Sequence, residues 1–432
     1  MAPQKRADVL RAAEAVIRRR APEIRAMIAA EIGATAYWQD FNLDVAIGHL
    51  QAAADLVQHL APKIYDEGRE RQIVTRQAVG VCLAIAPWNA PFVLAMRAVA
   101  YALACGNAVV LKASEMCPAT HLLVADVLAE AGLPEGVLQV ITHAPEEAAP
   151  IVTALIEHEA VRRVNFTGST RVGRLVAGLA ARQLKRCLLE LGGKDAMVVL
   201  EDADLEAAAD AAAYGGFLNQ GQVCMSTQRV VVMEKVADAF VAKLVERAGQ
   251  LSAGDPAQHA LGPLVNELAA SRVEQSLRAA LGAGAQLLTG GVRRGTYIEA
   301  TVLDHVTPGM AIYGEECFGP IISVCRAQTE AEAISIVNDT RYGLTAAVFG
   351  RNVEHAMKVA AELETGMCHI NGPTINDRPD MPVGGMKDSG YGRFGGASCL
   401  DEFTELRWFS QSDAPRSKNF AAWASAPPAR PE

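Results

Sequence analysis

The stretch VCLAIAPWNAPFVLAMRAVAYALACGNAVVLK, residues 81–112, decides the fold. It opens with a short apolar run at 81–86 and turns at Pro87. It then places Ala90, Val93, Leu94 and Arg97 at helical spacing, and ends in a second apolar run at 107–112. A strand, a crossover helix and another strand in about 30 residues is the repeating unit of a parallel sheet. Working outward, the same alternation predicts strands at 137–142, 163–166, 188–191 and 196–200. A helix is expected at 120–131, where Gly132 and Pro134 supply stop signals, and another at 202–213, which opens with acidic residues suited to its N-terminal dipole. A doubly wound, Rossmann-like α/β domain is the expected architecture.

Past Cys224 the alternation resumes, with strands at 229–233 and near 321–325 and 346–349 and a helix at 236–250, so a second α/β domain is expected. Segments 63–78 and 401–409 alternate polar with apolar residues and read as strands outside both cores, while 411–432, rich in Pro, Ala and Ser, reads as a loose tail. Of the 432 residues 50% are apolar, which excludes a disordered chain, and 40 Lys and Arg against 49 Asp and Glu leave a formal charge of −9. That balance repels phosphate backbones and anionic lipid, so no nucleic-acid or membrane partner is expected. The longest apolar runs, at 81–87 and 196–200, fall short of the roughly 18 residues needed to span a bilayer. The arginines of the first 25 residues are interrupted by Asp8, Glu14 and Glu23, as on a solvated helix face and not in a transit peptide. Nine cysteines, an odd number without a CxxC pair, fit a reducing, cytoplasmic setting and suggest no metal site.

Five short strings carry chemistry-bearing residues. In QGQVCMS, Cys224 follows a small-residue turn; it is either a buried inert thiol or a nucleophile. In LELGGK, Glu190 ends an apolar strand ahead of Leu191, where desolvation would raise its pKa toward that of a general base, unless it points to solvent. In FTGSTRVG, the residues Gly168, Ser169, Thr170, Arg171, Val172 and Gly173 link a strand to a helix whose free N–H groups suit a phosphate, although glycine and serine also serve as plain caps there. In KASE, Lys112, Ser114 and Glu115 lie beyond a strand, where doubly wound sheets bind ribose, or form a surface charge pair. In PWNAPF, Pro87, Trp88 and Asn89 end a strand, and the Asn89 amide suits an oxyanion, or merely a turn.

Taken together and in order, PWNAPF, VLKASE, NFTGSTRVG, LELGGK, NQGQVCMS, EECFGP and GMKDSGYGR resemble the aldehyde dehydrogenase superfamily. The resemblance runs from the first residues to about Ser410 and is strongest toward the aromatic members of the vanillin, salicylaldehyde and benzaldehyde type. It implies Cys224 as nucleophile, Glu190 as base and Asn89, with the Cys224 backbone N–H, as oxyanion donors. It further implies Lys112 and Glu115 on the adenosine ribose, Gly168–Gly173 at the pyrophosphate, and Glu316 and Phe318 on the nicotinamide side of NAD, with NADP disfavoured by the charge of Glu115. The implied organisation is a cofactor domain (1–62 and 79–193), a catalytic domain (194–396) and a small β element (63–78 and 400–410) that builds a homodimer or homotetramer.

By the same resemblance the reaction is NAD-dependent oxidation of an aromatic aldehyde through a thiohemiacetal and a thioester. Ala90, Val93, Leu94 and Arg97 are expected on one side of the substrate tunnel, and Phe217, Leu218, Val223 and Met225 on the other. Arg97 is expected either to stack on a ring or bind its oxygen substituents, or to reach solvent or a neighbouring carboxylate. Two departures qualify the match. Relatives carry several tens more residues ahead of the point where this sequence starts, so the cofactor domain is expected to lose cover on one side, and Val383 stands where many relatives have an aromatic residue. The rival readings are an aliphatic or semialdehyde dehydrogenase, a catalytically idle relative, and a cofactor-free esterase using the same thiol.

Overall fold

Strands buried on both faces read as near-continuous apolar runs, and such runs, 81–86 and 196–200 among them, form central strands of two sheets in the computed structural model, which describes residues 1–67, 70–413 and 420–425. The first sheet runs in the order Gly390–Tyr391, Arg186–Glu190, Val161–Thr167, Val81–Ile85, Ala108–Lys112, Leu138–Ile141. All neighbours are parallel except the two-residue strand at its edge. The chain leaves Val81–Ile85 toward one edge and returns on its other side with Val161–Thr167, so the strand order reverses between these two. Ligands of open α/β sheets bind at such a reversal, beyond the carboxyl ends of the strands. Asn89 and Ser169 follow those two ends.

Helix Pro91–Ala104 is buried along its whole length, beneath helices Pro3–Ile32 and Ala36–Leu56. The first of these shows why its arginines were readable as a solvated face: Leu10, Ile17, Ile24 and Ile28 form the buried stripe, while Arg11 and Arg18 pair with Asp55 and Glu14 on the outside.

The second sheet runs Gln286–Thr289, Thr301–Asp304, Ile321–Ala327, Arg229–Met233, Ala196–Val199, Thr345–Phe349, Met367–Ile370, antiparallel only at its first pair. A third, antiparallel sheet joins Lys63–Glu67, Glu70–Ala78 and Thr404–Ser412. It leaves Ile64, Tyr65, Leu406 and Trp408 exposed.

Three of the boundaries that differ from the sequence reading bear on the fold. Residues 401–403 belong to helix Ser398–Phe403, because Leu400 and Phe403 anchor it in the core, and the strand starts only at Thr404. That strand pairs on to Ser412 and a short helix follows at Phe420–Ala424, so 411–432 is not uniformly a loose tail; residues 414–419 and 426–432 lie outside the described residues. The helix expected from residue 202 begins at Leu205, since Asp204 caps it by accepting from the N–H groups of Glu206 and Ala207. All nine cysteines are free thiols, and among the described residues no helix is long and apolar enough to cross a membrane, and no cluster of three His, Cys, Asp or Glu side chains has the makings of a metal site.

Candidate active site

Cys224 is presented by a sharp reversal after helix Leu205–Phe217. Asn219, Gln220 and Gly221 are consecutive left-handed residues with φ of 49°, 56° and 69°. Left-handed backbone at non-glycine residues costs on the order of 1 kcal/mol or more each. Surrounding bonds hold it: Asn89 Nδ2 donates to the Gln222 carbonyl at 3.0 Å, and Gln222 Oε1 accepts from the Val265 N–H at 2.9 Å. Downstream, Ser226 Oγ donates to the Gly215 carbonyl at 3.0 Å and Thr374 Oγ1 to the Met225 carbonyl at 2.7 Å. Gly221 is required for space as well as for φ, because a Cβ there would collide with the carbonyl oxygen of Gly319.

Two cavities meet at this turn, an open cleft of about 590 Å³ and a tight slot of about 20 Å³. Among the described residues, only Asn89, Glu190 and Cys224 line both. The cleft lies beyond the strand reversal of the first sheet, walled by Pro87 and Trp88, by Gly168 and Ser169, by Leu191, and by Glu316 and Phe318. Trp88 and Phe318 meet edge to face, with centroids 5.8 Å apart. Ser169 caps helix Thr170–Arg182 by accepting from the Val172 N–H at 3.4 Å, and Gly173 lets that helix approach Leu191. Glu316 accepts from the Gly193 N–H at 3.3 Å; burial pushes its carboxyl up to about 7 despite that bond.

Other residues expected at the cofactor stand back from the cleft wall. Thr170 donates to the Asp388 carbonyl, Arg171 is exposed, and Val172 and Gly173 form the first turn behind Ser169. Lys112 ends the neighbouring strand Ala108–Lys112 and Ser114 and Glu115 follow it, with Lys112 Nζ 3.2 Å from Glu115 Oε2. Ser114 Oγ accepts from the Met116 N–H at 3.3 Å. Burial raises the Glu115 carboxyl, but its backbone N–H and Lys112 outweigh it and hold the group below its ordinary value. The opposite wall, Leu268, Ala269 and Arg272 of helix Glu267–Gly282, was not foreseen.

The slot is lined by Ala90, Val93, Leu94, Arg97, Val223 and Met225, together with Trp38, Phe41, Ile375, Asp377 and Val383. Phe217 and Leu218 do not reach it. The left-handed reversal separates them from Cys224: Phe217 is buried against the second sheet with Val230 and Ile322, and Leu218 packs at the edge of the other core. Arg97 takes the neighbouring-carboxylate alternative. Its Nη2 lies 2.8 Å from Glu190 Oε2 and 3.0 Å from Thr167 Oγ1, and its guanidinium carbon is 4.4 Å from the Phe394 ring centroid. Glu190 is therefore not a carboxylate set in apolar surroundings alone, as its leucine neighbours suggested; a buried guanidinium accompanies it.

Burial, and then the charge of Glu190, push the Cys224 thiol well above its ordinary value, with Arg97 opposing them. The Asn89 amide gives one of its two N–H donors to the Gln222 carbonyl, which leaves the second for an oxyanion. A thiol, a carboxylate and an amide donor thus converge where the two cavities join, an arrangement suited to acyl-transfer chemistry on a carbonyl delivered through the slot.

Residues 1–409 match the profile of the aldehyde dehydrogenase family. The chain belongs to that family. A vanillin dehydrogenase of Pseudomonas fluorescens is 48% identical over 417 residues, covering 96% of this chain and 86% of the relative. A benzaldehyde dehydrogenase [NAD(+)] of Pseudomonas putida is 43% identical over 349 residues, 80% of this chain and 71% of the relative. Among solved structures, a salicylaldehyde dehydrogenase from Pseudomonas putida G7 complexed with salicylaldehyde superposes with a TM-score of 0.95 at 45% identity, covering 97% of this chain and 88% of that one. Within the family frame, the slot residues that sequence reading missed come from segments far from Cys224 in the chain. Trp38 and Phe41, one turn apart in helix Ala36–Leu56, carry the signal available, a pair of large aromatics on one helix face, and Trp38 Nε1 donates to the Asn89 carbonyl at 2.8 Å.

Proposed function

We propose that the protein oxidises aromatic aldehydes to carboxylic acids, with NAD bound in the cleft. The observation that carries the proposal is that Cys224, Glu190 and Asn89 are the three groups shared by cleft and slot. The named relatives, acting on vanillin and benzaldehyde, support the substrate class. The cleft fits a dinucleotide: it lies at the strand reversal, has a capped helix N-terminus at Ser169 for a pyrophosphate, and is lined by Trp88, Glu316 and Phe318 as well as by Cys224. Lys112 and Glu115 would hold the adenosine ribose at its outer end.

In the mechanism, the Cys224 thiol gives its proton to solvent water and its thiolate attacks the aldehyde carbon, forming a carbon–sulfur bond while the carbonyl electron pair moves to oxygen. The second N–H of Asn89, with the Cys224 backbone N–H, meets that oxyanion. NAD, when bound, supplies the acceptor for the hydride leaving the thiohemiacetal carbon. Glu190 then takes a proton from water as it adds to the Cys224 thioester, and the thiolate leaves as the acid forms. For this Glu190 must exchange its contact with Arg97 for water, which makes Arg97 the group that parks the base between turnovers. The slot has room for about one water as it stands, so a ring enters only as flexible apolar side chains such as Leu94 and Met225 shift.

The proposal includes a cofactor unit built on the first sheet, a catalytic unit built on the second with its boundary near Gly193, and association of copies through the exposed apolar face of the third sheet, in a reducing cytoplasmic compartment. Reduction of NAD, followed by absorbance across a panel of aldehydes, tests the function. Hydroxylated or methoxylated benzaldehydes are expected to exceed short aliphatic aldehydes in kcat/KM, and Arg97→Ala to narrow the gap. Acetaldehyde as the best substrate would refute the aromatic class, and absence of NADH formation with any aldehyde would refute the activity.

A further inference from the structure

We infer that Asp377 is a specificity residue that accepts a hydrogen bond from a hydroxyl on the substrate ring, so that the slot selects hydroxylated benzaldehydes over unsubstituted ones and over their methyl ethers. The inference rests on the proposed aromatic aldehyde oxidation and adds which ring substituent is read, and by what.

Asp377 lines the same slot as Cys224, and its side chain is 4% exposed. A buried carboxylate normally has its lone pairs taken up, because an unmet acceptor loses the hydration it gave up on burial. Among the described residues Oδ1 has no hydrogen-bond partner. Its ion-pair neighbour His49 places Nε2 3.6 Å away, too long for a full hydrogen bond. His49 cannot simply turn to complete the pair. Tyr101 spends its single O–H on the Pro379 carbonyl at 2.8 Å, so its oxygen accepts, and His49 Nδ1, 2.8 Å from that oxygen, is the donor. The ring is therefore fixed from its far side, and with it the gap to Asp377.

Arg97 and Asn89 bring donors to the slot: Arg97 gives Nη2 to Glu190 and Thr167, lies over Phe394 and keeps an unpaired Nε, and Asn89 gives one N–H to the Cys224 turn and keeps the other for the oxyanion, so none of these N–H groups can accept the proton of a ring hydroxyl. The remaining walls, including Trp38, Phe41, Ile375 and Val383, are apolar or aromatic and suit a flat ring. Burial pushes the Asp377 carboxyl up, but His49 and Arg97 outweigh it and hold the group below its ordinary value, so at neutral pH it only accepts. A ring hydroxyl supplies the missing proton; a methyl ether has none to give. An ammonium aldehyde would meet the same carboxylate, but the buried Arg97 cation in the same slot opposes it.

The test compares benzaldehyde, the hydroxybenzaldehyde isomer that the unmodified enzyme handles best, and the methyl ether of that isomer. In Asp377→Ala the ratio of kcat/KM for the hydroxy compound to that for benzaldehyde is expected to fall about tenfold or more, since a hydrogen bond to a charged acceptor has that scale of effect. Asp377→Asn, which keeps a neutral acceptor, is expected to lose less. If Asp377 merely braces His49, both substrates decline together and the ratio stays fixed, which overturns the inference. Should the variants fail to fold, the unmodified enzyme decides: it is expected to prefer the hydroxy compound to its methyl ether, and equal kcat/KM for the two overturns the inference. Oxidation of benzaldehydes with an unmoved ratio defeats this inference alone, whereas no oxidation of any benzaldehyde defeats it together with the proposed function.

Discussion

The two cavities that meet at Cys224 are built on opposite plans. The cleft of about 590 Å³ is framed by strand ends, a helix N-terminus and backbone turns, whereas the slot of about 20 Å³ is framed by side chains of a wholly buried helix and of distant loops. Backbone walls accept any ligand with the right phosphate and ribose shape, and side-chain walls are where one aldehyde is told from another. The family likeness therefore bears most directly on the cleft, and this chain's individuality lies in the slot.

The sharpest way to break that contrast is at the junction. Cys224→Ala is expected to abolish acid formation, by on the order of 10⁵-fold or more, while NAD still binds with nearly unchanged affinity by fluorescence titration. Comparable turnover in the variant would remove the thiol from the mechanism. Next in size, Glu190→Gln should slow steady-state turnover by about 10²–10⁴-fold yet leave an initial burst of NADH in rapid mixing, because acylation does not need the base for water. A variant that loses the burst and keeps hydrolysis would reverse the roles given to the two stages.

Smaller effects sharpen the cleft side. NAD should exceed NADP in kcat/KM by about tenfold or more if Glu115 meets the 2′-hydroxyl, and Glu115→Gln should shrink that ratio. Equal use of both cofactors by the unmodified enzyme would displace Glu115 from the ribose. The smallest effect is in pH. Because the buried Glu316 carboxyl is raised to about 7, it is largely protonated at pH 6 and ionised at pH 8. As the ionised form is the better acceptor for ribose hydroxyls, NAD affinity should rise a few-fold across that range and become flat in Glu316→Gln. A flat profile in the unmodified protein would take Glu316 out of cofactor binding.

How much was legible follows the same division. Strands such as Ala196–Val199, buried at every residue, announce themselves as unbroken apolar runs, while the partly exposed Met367–Ile370 and the two-residue Gly390–Tyr391 carry no such pattern. The strings at Asn89, Gly168, Glu190 and Cys224 sit at strand ends and turns, where glycine, proline and small residues mark the backbone. The Asp377–His49–Tyr101 group cannot be seen in this way, since its members come together only when a loop and two helices pack. Phe217 shows the opposite error: nearness to Cys224 in the chain placed it in the slot, and the reversal at Asn219–Gly221 sends it to the other side of the turn.

The absence of a side chain at Gly221 has a bearing on how this enzyme can be altered. The turn that carries the thiol rests directly on the backbone of Gly319, next to the Glu316–Phe318 segment of the cofactor wall. The two loops are mated like gears, with no compliant side chain between them to absorb a misfit. Grafting the 315–320 loop of a relative to retune the cofactor, without its own 219–221 turn, should shift the sulfur as well, and a swap that moves both segments together is the one expected to keep the catalyst aligned.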